Sequence, residues 1–195
     1  FSGQSADKTA PIKALKKFVS GIYENFKNFS QILERIATAP KKGRHIAIVG
    51  AGPAGLSAAY DLIRDGYEVT VFEKNPAAGG LIKYVIPDFR MDKNGFDYEV
   101  DQLEKMGVKF KFNTSLGTDI DLSTLSDQFD GIVIAVGLGR SNKLDIVSTI
   151  SEDKCYDAIS FLEDFNNKLL NIKDSSGILV IGGGNSAMDV SRSAK

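Results

Sequence analysis

The sequence predicts an α/β fold built on a parallel sheet, and three observations predict it. A short apolar run, Ile46-Ala47-Ile48-Val49, leads directly into a glycine-rich turn and then a helical pattern. Strand-like and helix-like stretches then alternate, as a βαβ chain requires. Far down the chain a second apolar run, Ile178-Leu179-Val180-Ile181, leads into another glycine turn.

Taken in order, residues 11–37 read as helix. Pro11 suits a first helical position. Ile12, Leu15, Phe18, Val19, Ile22, Tyr23 and Phe26 recur at three- and four-residue steps, and Phe29, Ile32, Leu33 and Ile36 form a second stripe. Gly21 or the polar stretch 28–30 divides this into two helices, Pro40 stops it, and Lys41 to Arg44 read as a basic linker. After the strand at 46–49, residues 53–65 are helical, with Ala58, Ala59, Leu62 and Ile63 on one face and Gly66 as a stop. Glu68 to Phe72 is the next strand. Residues 76–90, rich in Gly and Pro, read as a loop, and 95–106 as a helix ended by Gly107. Gly131 to Val136 and Ile178 to Ile181 are the remaining strands.

Bulk properties narrow the function classes. With 195 residues the chain can bury one good core and begin a second domain. A net charge of −1 implies no global attraction to nucleic acid or membrane. The single cysteine, Cys155, excludes an internal disulfide, a CxxC pair and any four-cysteine metal or cluster site within this sequence. No apolar run approaches the roughly 20 residues that span a bilayer. The first residues, Phe1 to Ser5, have neither the basic nor the apolar region of a signal peptide, so a cytoplasmic protein is expected.

Gly50-Ala51-Gly52-Pro53-Ala54-Gly55 is a G-x-G-x-x-G turn between strand and helix. Gly50 permits the tight turn, Gly52 lets backbone approach a pyrophosphate, and Gly55 lets helix and strand pack closely. The free amides and dipole at the helix start favour the diphosphate. Glu73, at the end of the following strand, is placed to accept the ribose hydroxyls of an adenosine. The second turn, Gly182-Gly183-Gly184-Asn185-Ser186-Ala187, is a G-x-G-x-x-A variant with the same physics. Two such turns predict two dinucleotides. The strand carrying the residue that chooses between NAD and NADP is absent before Lys195, so a fragment is expected, with its second nucleotide fold incomplete.

The segment Gly79-Gly80-Leu81-Ile82-Lys83-Tyr84-Val85-Ile86-Pro87-Asp88-Phe89-Arg90 resembles the GGL…IP.FR signature of one flavoprotein group. That group contains the small (β) subunit of NADPH-dependent glutamate synthase, the NADPH-binding part of dihydropyrimidine dehydrogenase, and related NAD(P)H:ferredoxin oxidoreductases. The likeness runs from residue 44 to the end, through residues 107–110, 113–119 and 134–137 and the turn at 182–189. It implies a two-dinucleotide-binding-domain flavoprotein with a Rossmann-like FAD domain. Residues 1–43 would be an amino-terminal helical segment, 44–175 the first part of the FAD-binding domain, and 176–195 the start of an NAD(P)H-binding domain.

What the resemblance implies for the site follows residue by residue. FAD would be held by Gly50, Ala51, Gly52, Pro53, Ala54, Gly55, Glu73, Lys74, Gly80, Leu81 and Arg90. The Leu116 backbone would face the adenine, and Ala135 and Gly137 would lie near the cofactor. NADP or NAD would sit on Gly182, Gly183, Gly184, Asn185 and Ser186. The implied activity takes hydride from NAD(P)H onto FAD and passes electrons to a partner centre such as an iron–sulfur protein. No nucleic acid, membrane or metal partner is expected, and no side-chain base or nucleophile is required. The lack of a CxxC argues against a disulfide reductase. A non-catalytic dinucleotide-binding module of a larger redox assembly is the alternative. Cys155 and His45 read as structural, and Asp119, Asp121, Asp127 and Asp130 as a solvated acidic edge.

Overall fold

The structure, a computed structural model, describes residues 39–91, 93–139, 155–170, 172 and 177–195. The helical reading of residues 11–37 lies outside them. Four strands form one parallel sheet: β1 His45–Val49, β2 Glu68–Phe72, β3 Lys109–Lys111 and β4 Gly131–Ile134. Their order is β3-β2-β1-β4. The helices among the described residues are α1 Pro53–Arg64, α2 Leu81–Tyr84, α3 Asn94–Lys105, α4 Leu122–Gln128, α5 Ala158–Asn166 and α6 Asn185–Ser193.

Alternation along the strands sends residues to two apolar layers. Ile48, Val69 and Val71 pack with Leu56 and Ala59 of α1 and with Phe96 and Leu103 of α3. Ala47, Val49 and Phe72 pack with Leu125 of α4. Burial on both faces is why β1 reads as an unbroken apolar run. Full burial of a side chain such as Phe72 contributes about 1.5 to 3 kcal/mol, so these layers dominate the stability of the sheet. A third cluster, Val85, Phe161, Leu162 and Val190, ties α5 and α6 to the segment after α2.

From β1 the chain runs outward through β2 and β3, then returns to place β4 on the other side of β1. Val49 is level with Phe72 on one side and Ile134 on the other. The carboxyl end of β1 is thus the switch point of the sheet, where open α/β sheets bind ligands.

The structure departs from the sequence reading in four places. The 76–90 stretch contains the short α2. The strand from Gly131 stops at Ile134, short of Val136. Helix α5 went unread, although Asp157 caps it by accepting from the Ile159 and Ser160 amides at 3.0 and 3.1 Å. Residues 178–181 form no strand. A strand exists through its ladder, and no described strand pairs with this one; Ile178, Leu179 and Ile181 stay 43%, 86% and 60% exposed. No helix among the described residues is long and apolar enough to cross a membrane.

The first turn is closed tightly. A Cβ built on Gly55 would lie 1.9 Å from the Gly50 carbonyl oxygen, and one on Gly50 would lie 2.4 Å from that of Ala135. Both obstacles are backbone and cannot swing aside. Gly55→Ala is therefore expected to destabilise the fold by about 3 kcal/mol. Urea unfolding, with a lowered midpoint and an unchanged slope, is the measurement.

Candidate dinucleotide site

Gly50, Ala51, Gly52, Pro53, Ala54 and Gly55 form the turn from β1 into α1. Gly50 has φ +105, a region that favours glycine. Gly52 is different: a Cβ there would meet nothing within 4 Å. It is also the N-cap of α1 and offers no side chain to the helix amides. Two other helices cap themselves. Asp157 serves α5, and Asp121 serves α4 by accepting from the Thr124 amide at 2.7 Å. The α1 terminus thus combines open space, no side-chain cap and the positive end of a helix dipole, the requirements of an anion site.

Glu73 follows β2 and is buried. Its carboxylate accepts from the Ala51 amide at 2.8 Å and the Asn75 amide at 3.0 Å. Its own backbone is fixed by β3 and the residues just after it: the Glu73 amide donates to the Lys111 carbonyl, and its carbonyl accepts from the Thr114 amide. The acid therefore ties the end of β2 to the glycine turn on β1. Lys74, next to it, is exposed.

The signature segment closes over the same turn. The Gly79 amide donates to the Ala51 carbonyl at 2.8 Å. A Cβ on Gly80 would lie 3.1 Å from the Gly52 Cα, and its φ of +51 also suits glycine. Leu81 opens α2 and is 44% exposed. Tyr84 holds this layer down: its hydroxyl donates to the Ala77 carbonyl and accepts from the Ala77 amide, both at 3.1 Å. Burial, reinforced by the charge of Glu73 and only partly offset by the Ala77 bond, raises the Tyr84 phenol above its ordinary 10.0. Asn166 of α5 donates to the Tyr84 carbonyl at 3.0 Å.

Ala135 lies against Gly50, and its amide donates to the Val49 carbonyl at 2.8 Å. Gly137 lies beyond it, exposed. Leu116 packs with the Ala47–Val49–Phe72 layer and bridges to Ile120. In the second turn, Gly183 and Gly184 have open space where a Cβ would stand, and Gly184 caps α6 without a side-chain bond. Gly182, Asn185 and Ser186 are exposed beside them. This turn joins the first through α6, where Asp189 accepts from the Arg90 Nε.

The structure thus gathers Gly50 to Gly55, Glu73, Gly80 and Ala135 at one strand end, and sets Arg90 against Asp189. Sequence reasoning missed the carboxylate of Asp189, because its partner lies far away in the chain. It also missed the Tyr84 anchor, whose only local signal is a tyrosine in an otherwise glycine-rich stretch. His45 is structural: its Nε2 bonds the Thr70 hydroxyl at 2.9 Å and its ring meets Phe129 at 4.5 Å. The acidic edge is more than solvated charge. Asp119 accepts from the Ser115 amide, Asp121 caps α4, and Asp130 accepts from the His45 amide.

Glu73→Ala is expected to leave the Ala51 and Asn75 amides without acceptors, costing about 2 to 4 kcal/mol in denaturant unfolding and speeding hydrogen exchange at Ala51. Tyr84 keeps its proton to higher pH when folded than when unfolded. Its contribution is complete below about pH 10 and is lost as pH rises through the folded value. Tyr84→Phe should flatten that alkaline decline, seen in urea midpoints taken from about pH 8 to 11.

Residues 44–195 match the family described as pyridine nucleotide-disulphide oxidoreductase. The chain is 38% identical over 161 residues to the NADP(+)-dependent formate dehydrogenase subunit beta of Moorella thermoacetica, covering 80% of this chain and 22% of that one. It is 32% identical over 190 residues to the NAD-dependent dihydropyrimidine dehydrogenase subunit PreT homolog of Salmonella typhi, covering 97% and 44%. Among solved structures, FprA of Mycobacterium tuberculosis in complex with NADPH matches at a TM-score of 0.63 and 28% identity, covering 76% of this chain and 36% of that one. The chain spans less than half the length of these relatives. Over residues 44–195, it belongs to the pyridine nucleotide-disulphide oxidoreductase family.

Proposed function

We propose that this chain is the flavin-holding part of an NAD(P)H-dependent flavoprotein oxidoreductase that passes electrons to a partner centre such as an iron–sulfur protein. One observation carries the reading. Gly50 and Gly55 are packed shut by backbone, while Gly52 between them stands open at a helix start that no side chain caps. A purely structural turn has no need of that opening.

The residues present fit FAD. Gly52, Pro53, Ala54 and Gly55 would receive its diphosphate on α1, and Glu73 its adenosine ribose. Gly50, Ala51, Lys74, Gly80, Leu81, Arg90, Leu116, Ala135 and Gly137 complete the proposed set. Gly182, Gly183, Gly184, Asn185 and Ser186 would receive NADP or NAD in the same manner at α6. FAD, when bound, supplies the acceptor for the nicotinamide hydride. The protein's share is to hold both nucleotides by their phosphates, set the rings against each other and exclude water. On this reading residues 44–175 are the FAD-binding part and 176–195 begin the NAD(P)H-binding part, after an amino-terminal segment of residues 1–43.

The names of the relatives support the redox reading: one is NADP(+)-dependent, one NAD-dependent, and the solved FprA structure holds NADPH. The test is a visible spectrum followed by anaerobic addition of NADPH or NADH. A yellow protein that bleaches supports the proposal. A yellow protein indifferent to both nucleotides favours a binding-only module, and a colourless one that takes up no added FAD refutes the site.

Gly52→Val separates ligand from structure. Its backbone, at φ −77 and ψ −179, suits a β-branched residue, and a Cβ there meets no protein atom within 4 Å. Unfolding should match wild type, while FAD affinity falls by at least about tenfold in a fluorescence titration, a loss of 1.4 kcal/mol or more.

A further inference from the structure

Phe89 and Arg90 end the signature segment, and both reach α6. The Arg90 Nε donates to the Asp189 carboxylate, and the Arg192 guanidinium lies over the Phe89 ring, 4.1 Å from its centroid. Asp189 and Arg192 stand three residues apart and so share a helix face. Val190 joins Val85 in the apolar cluster beside them. The other end of this segment, Gly79 and Gly80, is seated on the first glycine turn. One short stretch therefore touches the first turn at its start and the helix of the second turn at its end.

We propose that Asp189 is a positioning residue whose carboxylate fixes Arg90, and that this clasp sets the second glycine turn at a working distance and angle from the flavin site. The inference rests on the function proposed above. Asp189 is buried, and a buried carboxylate demands a hydrogen-bonded partner. Arginine offers five N–H donors in a rigid fork, and the bond through Nε fixes the orientation of that fork against α6. Two other ion pairs among the described residues lack this leverage. Lys83–Asp97 and Lys93–Asp88 place carboxylates that are 53% and 86% exposed, where water screens the attraction.

The test compares wild type with Asp189→Asn at the protein's natural length, loaded with FAD and mixed with NADPH or NADH without oxygen. FAD content and spectrum are expected to match wild type. Flavin bleaching should slow by about 10- to 100-fold, the effect of a small misplacement of reacting rings. The long-wavelength absorbance of nicotinamide stacked on flavin should fade, and Asp189→Glu should keep most of the rate. In FAD-free protein, amide exchange in α6 should quicken in the asparagine variant. If that variant does not accumulate folded, Asp189→Ser carries the same comparison with less bulk. Wild-type bleaching in the variant, loss of its FAD, unchanged α6 exchange, or a lowered melting temperature with unchanged bleaching overturns the clasp. A wild-type protein that both nucleotides leave yellow overturns instead the redox reading on which it rests.

Discussion

Where α1 crosses the end of β1 there is no room for a single methyl group, and the Gly55–Gly50 approach is backbone against backbone. The consequences spread outward from that crossing. It brings the first turn of α1 over the carboxyl end of the sheet. It also lets Ala135 at the end of β4 close against Gly50 from the other side. Glu73 then locks the turn to β2 through the Ala51 amide, and the Gly79 amide takes the Ala51 carbonyl. Residue 51 thus has both backbone groups satisfied by different elements. The turn is held from three directions, so its geometry is set before any ligand arrives.

The layers that build the sheet and the contacts that shape the site differ in kind. Apolar burial in the two sheet layers supplies the bulk of the stability, in increments of about 1.5 to 3 kcal/mol for each large side chain. The polar contacts of the site are fewer and directional. Glu73 on Ala51 and Asn166 on Tyr84 join elements distant in the chain, and Tyr84 on Ala77 closes the segment between them on itself. Exposed ion pairs contribute at most about 1 kcal/mol, so they leave the arrangement largely unaffected.

Much of this was legible in the sequence because its causes are local. A strand buried on both faces must be apolar throughout, and a turn that admits a phosphate must be glycine; both signals lie within a few residues of their effect. The β1–α1–β2 unit was read almost to the residue for that reason. The strand expected at 178–181 failed because pairing is not local, and no described neighbour offers a ladder. The Arg90–Asp189 pair was invisible for the same reason: nothing in the neighbourhood of either residue points to the other. Helix α5 was missed for a weaker cause, since Asp157 with Phe161, Leu162 and Phe165 is a capped amphipathic pattern that could have been recognised.

The glycine caps carry one more implication. Asp121 and Asp157 complete their own helices, whereas Gly52 and Gly184 leave α1 and α6 to be completed from outside. A molecule that binds only the folded form raises its stability with the logarithm of the free concentration, by about 2.7 kcal/mol at a hundredfold excess over Kd. On the proposed reading, nucleotide supply would then govern how long the protein survives proteolysis, and cells starved of flavin would clear it sooner than cells replete with it.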